Sequence, residues 1–118
     1  MIVSGLIVLW FVIYHLLQFA FEATNPEFHE LRDSSGRHDV YRMVVLGFRQ
    51  PWISLFYALA LFLLTLHLSH GFASVAQTLG INNRKSENFI SSGGQILAWL
   101  VFAGYVSIPL TVLLGLVR

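Results

Sequence analysis

Three histidines lie in long apolar stretches, where a polar imidazole ring is unexpected. His15 lies within IVSGLIVLWFVIYHLLQFAF, and His67 and His70 lie within LHLSHGFASVAQTLG. A polar ring in hydrocarbon costs free energy unless something binds it. Ionisable side chains inside a bilayer are functional candidates by default, and histidine is a common axial ligand of haem iron.

The two deeper histidines occupy different levels of their helices. His15 is about six residues from the first-loop end of its run, or roughly 9 Å, and His67 is about 15 residues, or roughly 22 Å, from the same side. Metal–nitrogen bonds are only about 2 Å long, so one ion cannot bind both rings. The spacing predicts two separate sites. Haem ligation, a hydrogen-bonded contact between helices and a proton or ion pathway all remain open for them.

The residues that follow His67 suit a flat ligand. Gly71 lies one turn further on the same helix face, where the missing side chain would let a macrocycle approach the backbone. Ser74 continues that face and could bond a haem propionate or a neighbouring helix. His70 reads as an interfacial polar residue, and the loop histidines His29 and His38 are expected to be solvated.

The composition and the apolar runs predict the helices that carry these residues. Apolar residues make up 56% of the 118 positions and charged residues 11%, against roughly 25% in an ordinary soluble domain. Runs at about 2–21, 52–76 and 96–117 each reach the ~20 residues that cross a bilayer core. We therefore predict one all-α domain over 1–118, an integral membrane helical bundle with three transmembrane helices. The first run has neither the preceding basic residue nor the cleavage site of a secretory signal.

Two loops separate the runs. Loop 22–51 contains the turn-rich DSSGRHD and then DVYRMVVLGF, whose apolar spacing predicts a short interfacial helix. Pro51 suits the first turn of the second helix, and Pro109 is expected to kink the third. Loop 77–95 contains fewer basic residues than loop 22–51, so the positive-inside rule favours a cytoplasmic first loop. The near-neutral charge indicates no nucleic-acid partner, and the absence of cysteine excludes thiolate metal sites.

The sequence resembles a family of membrane cytochromes. HLSHGFASVAQTLG, the preceding LGFRQPWISLFYALALFLLTL and the final SIPLTVLLGLV are similar to the two-haem, b558-type cytochrome b subunit of succinate dehydrogenase and fumarate reductase. The resemblance covers nearly the whole chain but corresponds to the last three helices of a five-helix bundle. It therefore implies missing N-terminal helices or a second membrane chain.

The resemblance also implies roles for individual residues. His15 would ligate the haem distal to the catalytic subunits and His67 the proximal haem, with His70 as the fallback ligand and His70, Gly71 and Ser74 lining the cofactor. Each of two b haems would take one ligand from this chain. Tyr41, Arg49 and Trp52, near the first loop, are candidates for contact with menaquinone or another quinone. Thr65 and Ser69 near His67, and Tyr14 and Gln18 near His15, are candidates for hydrogen bonds to the ligand rings.

The implied function is electron transfer without side-chain catalysis. Electrons would pass between the iron–sulfur subunit of a complex that also contains a flavoprotein, the two haems and a membrane quinone. The implied location is a bacterial inner membrane, with the first loop outside, contrary to the basic-residue count. The alternative is a haem-free structural anchor for soluble subunits. A transporter is disfavoured because acids lie only in the loops or at Glu22, the edge of the first run.

Overall fold

The computed structural model describes residues 1–81 and 83–117, and within them regular structure is helical apart from one isolated bridge between Arg32 and His38. The α-helices and two shorter helical segments are α1 (Ile2–His15), a π-helical turn (Leu16–Ala20), a 3₁₀ helix (Pro26–Glu30), α2 (Val40–Phe48), α3 (Pro51–Thr78) and α4 (Arg84–Leu113).

Three of these segments are long and apolar enough to cross a membrane: Ile2–Ala20, Pro51–Thr78 and Arg84–Leu113. At 1.5 Å per residue, the 28 residues of α3 and the 30 of α4 extend about 42 and 45 Å, more than the ~30 Å of a hydrocarbon core. The prediction of an all-α chain with three membrane-length helices is confirmed. The short helix expected in DVYRMVVLGF is also present, as α2.

Helix α3 begins and ends with recognisable signals. Pro51 occupies its first turn, and Ser54 donates a hydrogen bond of 2.7 Å to the Phe48 carbonyl, which fixes α3 to the end of α2. At the other end Gly80 has φ +70°, and Ile81 N–H donates to the Ala76 carbonyl at 3.1 Å. These are the features of a Schellman cap, which places glycine at the left-handed position.

Helix α4 starts well before the apolar run at 96–117. The Asn83 side chain caps it by accepting a hydrogen bond of 3.0 Å from the Lys85 N–H. The acidic Glu87 in the first turn interacts favourably with the helix dipole. Residues 84–95 are therefore helical, which corrects the predicted loop 77–95. Pro109 is buried inside the helix, and the helix continues past it to Leu113.

The long helices α3 and α4 form the largest helix–helix contact, and their backbones approach closely at Gly94. A side chain at this position would overlap the Cβ and Cγ atoms of Phe72. A small residue at this position permits the approach, as is common between membrane helices. At the first-loop end, α2 packs across both helices, and the core joins Val45 and Phe48 to Tyr57 and Val112.

Helix α1 is held loosely by comparison. None of its 14 residues, all of which the structure describes, is buried, and its large apolar side chains are widely exposed. In the π-helical turn that follows, only Gln18 is buried. The surface of α1 therefore needs lipid or further protein to cover it.

Candidate functional site

His15 ends α1, and its ring is tied to α3. Its Nδ1 lies 3.2 Å from the Tyr57 hydroxyl, which itself donates to Gln18 Oε1 at 2.8 Å. Because the tyrosine proton is used on Gln18, the tyrosine oxygen must accept from His15. This assigns the Nδ1–H tautomer to His15 and leaves the Nε2 lone pair for a ligand.

The hydrogen bonds around His67 follow the same pattern as those around His15. His67 Nδ1 lies 3.0 Å from Ser4 Oγ, and that hydroxyl donates to the Met1 carbonyl at 2.8 Å. The serine oxygen must therefore accept from His67 Nδ1–H, which again leaves the Nε2 lone pair for a ligand. Both rings carry the outer hydrogen bond that ligating histidines ordinarily have.

The two sites lie at different depths along the α1–α3 pair. The partner of His15 is Tyr57, and His67 is ten residues further along the same helix, or about 15 Å. The partner of His67 is Ser4, close to the opposite end of α1. Helices α1 and α3 are therefore antiparallel neighbours.

The His67 face is open where the sequence predicts room for a macrocycle. A Cβ on Gly71 would meet no heavy atom of the described chain within 4 Å, and Ser74 is exposed. His70 is also exposed, and its Nδ1 lies 2.8 Å from the Leu66 carbonyl of its own helix. His67 is the more enclosed ring, although the assignment of ligands stays a prediction.

The hydrogen-bond partners of the two rings came from positions that the sequence reading missed. Thr65 and Ser69 donate to the Leu61 and Thr65 carbonyls of their own helix rather than to His67. Gln18 reaches His15 only through the Tyr57 hydroxyl. The actual partners are the hydroxyl groups of Ser4 and Tyr57, each on the helix that faces the histidine. The sequence does not identify them, because they depend on the relative register of α1 and α3.

Beside His15 the four α-helices line an open cavity of about 760 Å³. Its walls are mainly apolar, and its ionisable or polar lining groups are His15, Glu22, His38, Tyr57 and Tyr105. This volume falls within the 300–1,000 Å³ of ordinary ligand pockets. The predicted quinone contacts Tyr41, Arg49 and Trp52 are exposed and do not line this cavity.

At the loop end of the cavity, Glu22 stands between two histidines. Its Oε2 lies 2.6 Å from His29 Nδ1, and its Oε1 lies 2.8 Å from His38 Nε2. The atoms are close, but Glu22 Oε2 and His38 Nε2 have no partner at hydrogen-bond angles within the described chain. His29 is exposed as predicted, whereas the prediction of a solvated His38 is wrong, because Glu22 and the cavity wall partly cover its ring.

Among residues 1–81 and 83–117, no group of three or more His, Cys, Asp or Glu residues could hold a metal ion. A haem iron does not need such a group, since each face takes a single ligand. Comparison of the chain with protein-family models, with curated proteins and with solved structures gives no significant match.

Proposed function

We propose that this chain is a membrane-anchor cytochrome b subunit of succinate dehydrogenase or fumarate reductase, which passes electrons between an iron–sulfur subunit and membrane quinone through b haems. One observation carries the proposal. His15 and His67, about 15 Å apart along α3, each donate Nδ1–H to a hydroxyl oxygen and each keep an Nε2 lone pair inside a membrane-length helix.

The residues present fit a b-type haem. His15 would be one ligand of the haem nearer the first loop, and His67 would be one ligand of the other. When bound, the haem supplies one-electron transfer, which no side chain of this protein provides. The task of Tyr57 and Ser4 is to fix the imidazole tautomers and orient the rings, and Gly71 leaves the helix surface open beside His67.

A quinone fits the chemistry of the cavity beside His15. Phe11, Phe19, Phe48 and other apolar side chains would pack against its ring, and the polar lining groups would meet its oxygens. A quinone in this cavity would contact residues other than the predicted Tyr41, Arg49 and Trp52, which remain candidates for its approach from the membrane surface. Menaquinone and other quinones share the ring chemistry used here.

The proposal includes the partners and the location. Flavoprotein and iron–sulfur subunits would dock beside the α3–α4 connection, and the first loop would lie on the outer side of a bacterial inner membrane. The opposite axial ligands would come from two further helices, supplied by missing N-terminal sequence or by a second membrane chain. The exposed surface of α1 is available to such helices.

A haem-free structural anchor is the second candidate. The His15–Tyr57 and His67–Ser4 hydrogen bonds both join α1 to α3, which is what a purely structural histidine would do. The two candidates differ in the role of Nε2 of His15 and His67, which would bind haem iron only in the cytochrome subunit.

The test is the reduced-minus-oxidised absorption spectrum of the assembled complex. We expect a b-type band in the wild type, loss of one haem in His15→Ala and loss of the other in His67→Ala. His70→Ala tests the alternative register and should leave both haems. A matched control, His29→Ala, removes an exposed histidine of the first loop and should leave the spectrum unchanged.

A colourless wild-type complex would establish the structural anchor instead. A complex in which both alanine variants retain both haems would show that the irons are held by other chains, and the assignment of this chain as a ligand donor would be wrong.

A further inference from the structure

Glu22 is an acid placed against an apolar cavity, and the structure gives it an unusual setting. It follows the π-helical turn, its backbone has φ +53°, and its side chain is only 9% exposed. A non-glycine residue rarely adopts this left-handed conformation. Such strain persists where the surrounding structure holds it, and it is often found at functional sites.

The two histidines beside Glu22 differ in their access to water. The His29 side chain is 62% exposed, that of His38 is 28% exposed, and the carboxylate lies between them at 2.6 and 2.8 Å. Glu22 and His38 line the cavity, whereas His29 does not. The three side chains thus form a continuous series of titratable groups from the water outside the first loop to the cavity beside His15.

We propose that His29, Glu22 and His38 form a proton route between water on the first-loop side and the cavity, and that the group served there is the ring hydroxyl of a hydroquinone. This inference rests on the proposed function, and it adds the residues that exchange protons. The polar wall of the cavity suits a ring with oxygens at its edge, and the apolar remainder suits the ring itself.

The proton steps can be written atom by atom. A hydroquinone O–H gives its proton to His38 Nδ1, and His38 gives the proton on Nε2 to Glu22 Oε1. The carboxyl group of Glu22 turns and gives that proton to His29 Nδ1, and His29 releases the proton on its Nε2 to water. Each passage leaves both rings protonated on Nδ1, so His38 returns to its Nε2–H form by rotation of the ring, and His29 by exchange with water, before the second passage. Two passages remove the two protons of one hydroquinone, and its two electrons leave one at a time to an oxidised b-type haem, the electron acceptor in the proposed function. Small ring rotations are needed at both contacts, because the atoms are close but not aligned.

The other groups near the route do not replace it. Within the described chain Glu22 is the only acid that lines the cavity, and no lysine or arginine lines it. Tyr57 and Tyr105 line the cavity, and the Tyr57 hydroxyl is engaged by His15 and Gln18. On the loop side, Arg32 pairs with His38 through the backbone bridge. The trio itself is not a metal site.

The experiment uses the assembled complex and a short-chain naphthohydroquinone. Glu22→Gln keeps the size of the side chain and removes the carboxylate that passes the proton, and His29→Ala removes the water-facing end of the route. The matched control is Glu27→Gln, an exposed acid five residues away that accepts a hydrogen bond from Asn25. For each variant we would measure the haem band, naphthoquinone binding by quenching of tryptophan fluorescence, and the rate of naphthohydroquinone oxidation from pH 5 to 9.

We expect oxidation to slow about 100-fold or more in Glu22→Gln and His29→Ala, since about 100-fold is the low end of what a positioned acid or base contributes. The haem band, naphthoquinone binding and the Glu27→Gln rates should match the wild type. Added imidazole should restore the rate of His29→Ala, because a small base can occupy the exposed position. A merely structural role of His29 would give no such rescue.

The route is refuted if Glu22→Gln and His29→Ala oxidise the naphthohydroquinone as fast as Glu27→Gln. It is also refuted if His29→Ala is slow and imidazole does not restore it. In both results the haem band is intact, so the proposed function stands. A wild-type complex without a haem band has a different meaning, since it overturns the proposed function and the route with it.

Discussion

Replacing Tyr57 by Phe tests the hydrogen-bonded connection on which the assignment of His15 depends. The change removes one hydroxyl that serves two contacts, the acceptor for His15 Nδ1–H and the donor to Gln18 Oε1. The ring remains, so its packing against Phe11 and Phe48 is kept. The effect therefore reports the hydroxyl alone.

The magnitude follows from where these groups lie. Hydrogen bonds between membrane helices contribute about 0.6 kcal/mol on average and at most about 1.7 kcal/mol, so two bonds account for about 1–3 kcal/mol. Gln18 is fully buried and its Nε2 already lacks a partner among the described residues, so the variant leaves the whole amide without one. We expect Tyr57→Phe to lower the free energy of unfolding by about 1–3 kcal/mol.

The assay is unfolding of the purified protein in mixed micelles by titration with SDS, followed by circular dichroism. Tyr14→Phe is the matched control, since that ring packs on Phe56 at the same level. In the double variant Gln18→Leu with Tyr57→Phe, both partners are apolar, and the combined loss should be smaller than the sum of the two single losses. If Tyr57→Phe unfolds within about 0.3 kcal/mol of Tyr14→Phe, the bridge to Gln18 is not formed and the tautomer derived for His15 has no basis.

Two further predictions concern helix packing and the first loop. Gly94→Ala should weaken the α3–α4 contact by about 1–3 kcal/mol, because its methyl group would overlap Phe72, whereas Gly93→Ala, which meets open space, should be neutral or stabilising in the same SDS titration. The pKa of Asp33 is lowered from its ordinary value, mainly because its carboxylate accepts a hydrogen bond from the Arg37 backbone N–H. A lowered folded pKa means that the carboxylate stabilises the 33–37 turn at neutral pH and that this contribution is lost as the pH falls through the folded value. The protection of the amides in the turn, measured against the unfolded chain at the same pH, should therefore fall below about pH 4, and Asp33→Asn should remove that step.

The fold was largely predictable because membrane length and apolar runs are strong signals. The start of α4 was not, because residues 84–95 are polar and a search for apolar runs passes over them. The signals that were present are local ones: Asn83 as the cap and Glu87 in the first turn. The π-helical turn after His15 has no comparable signature in the sequence.

The candidate site was predictable only in its histidines. The residues that bond His15 and His67 are 42 and 63 positions away in the chain, and their identity depends on the relative register of α1 and α3. The same holds for Glu22 and His38, which the first loop brings together. Residue type identifies a candidate ligand, but packing decides its partner.

The exposure of the His15 ring and the exposure of α1 have a common explanation. On the isolated chain its ring is exposed, although it belongs to a membrane-length segment. An imidazole nitrogen with a free lone pair cannot face lipid without cost, and the Tyr57 hydroxyl already occupies the other nitrogen. Helix α1, which ends at His15, buries none of its residues. One partner that covers α1 and binds Nε2 would account for both facts, and the further helices and haem of the proposed function would do so together.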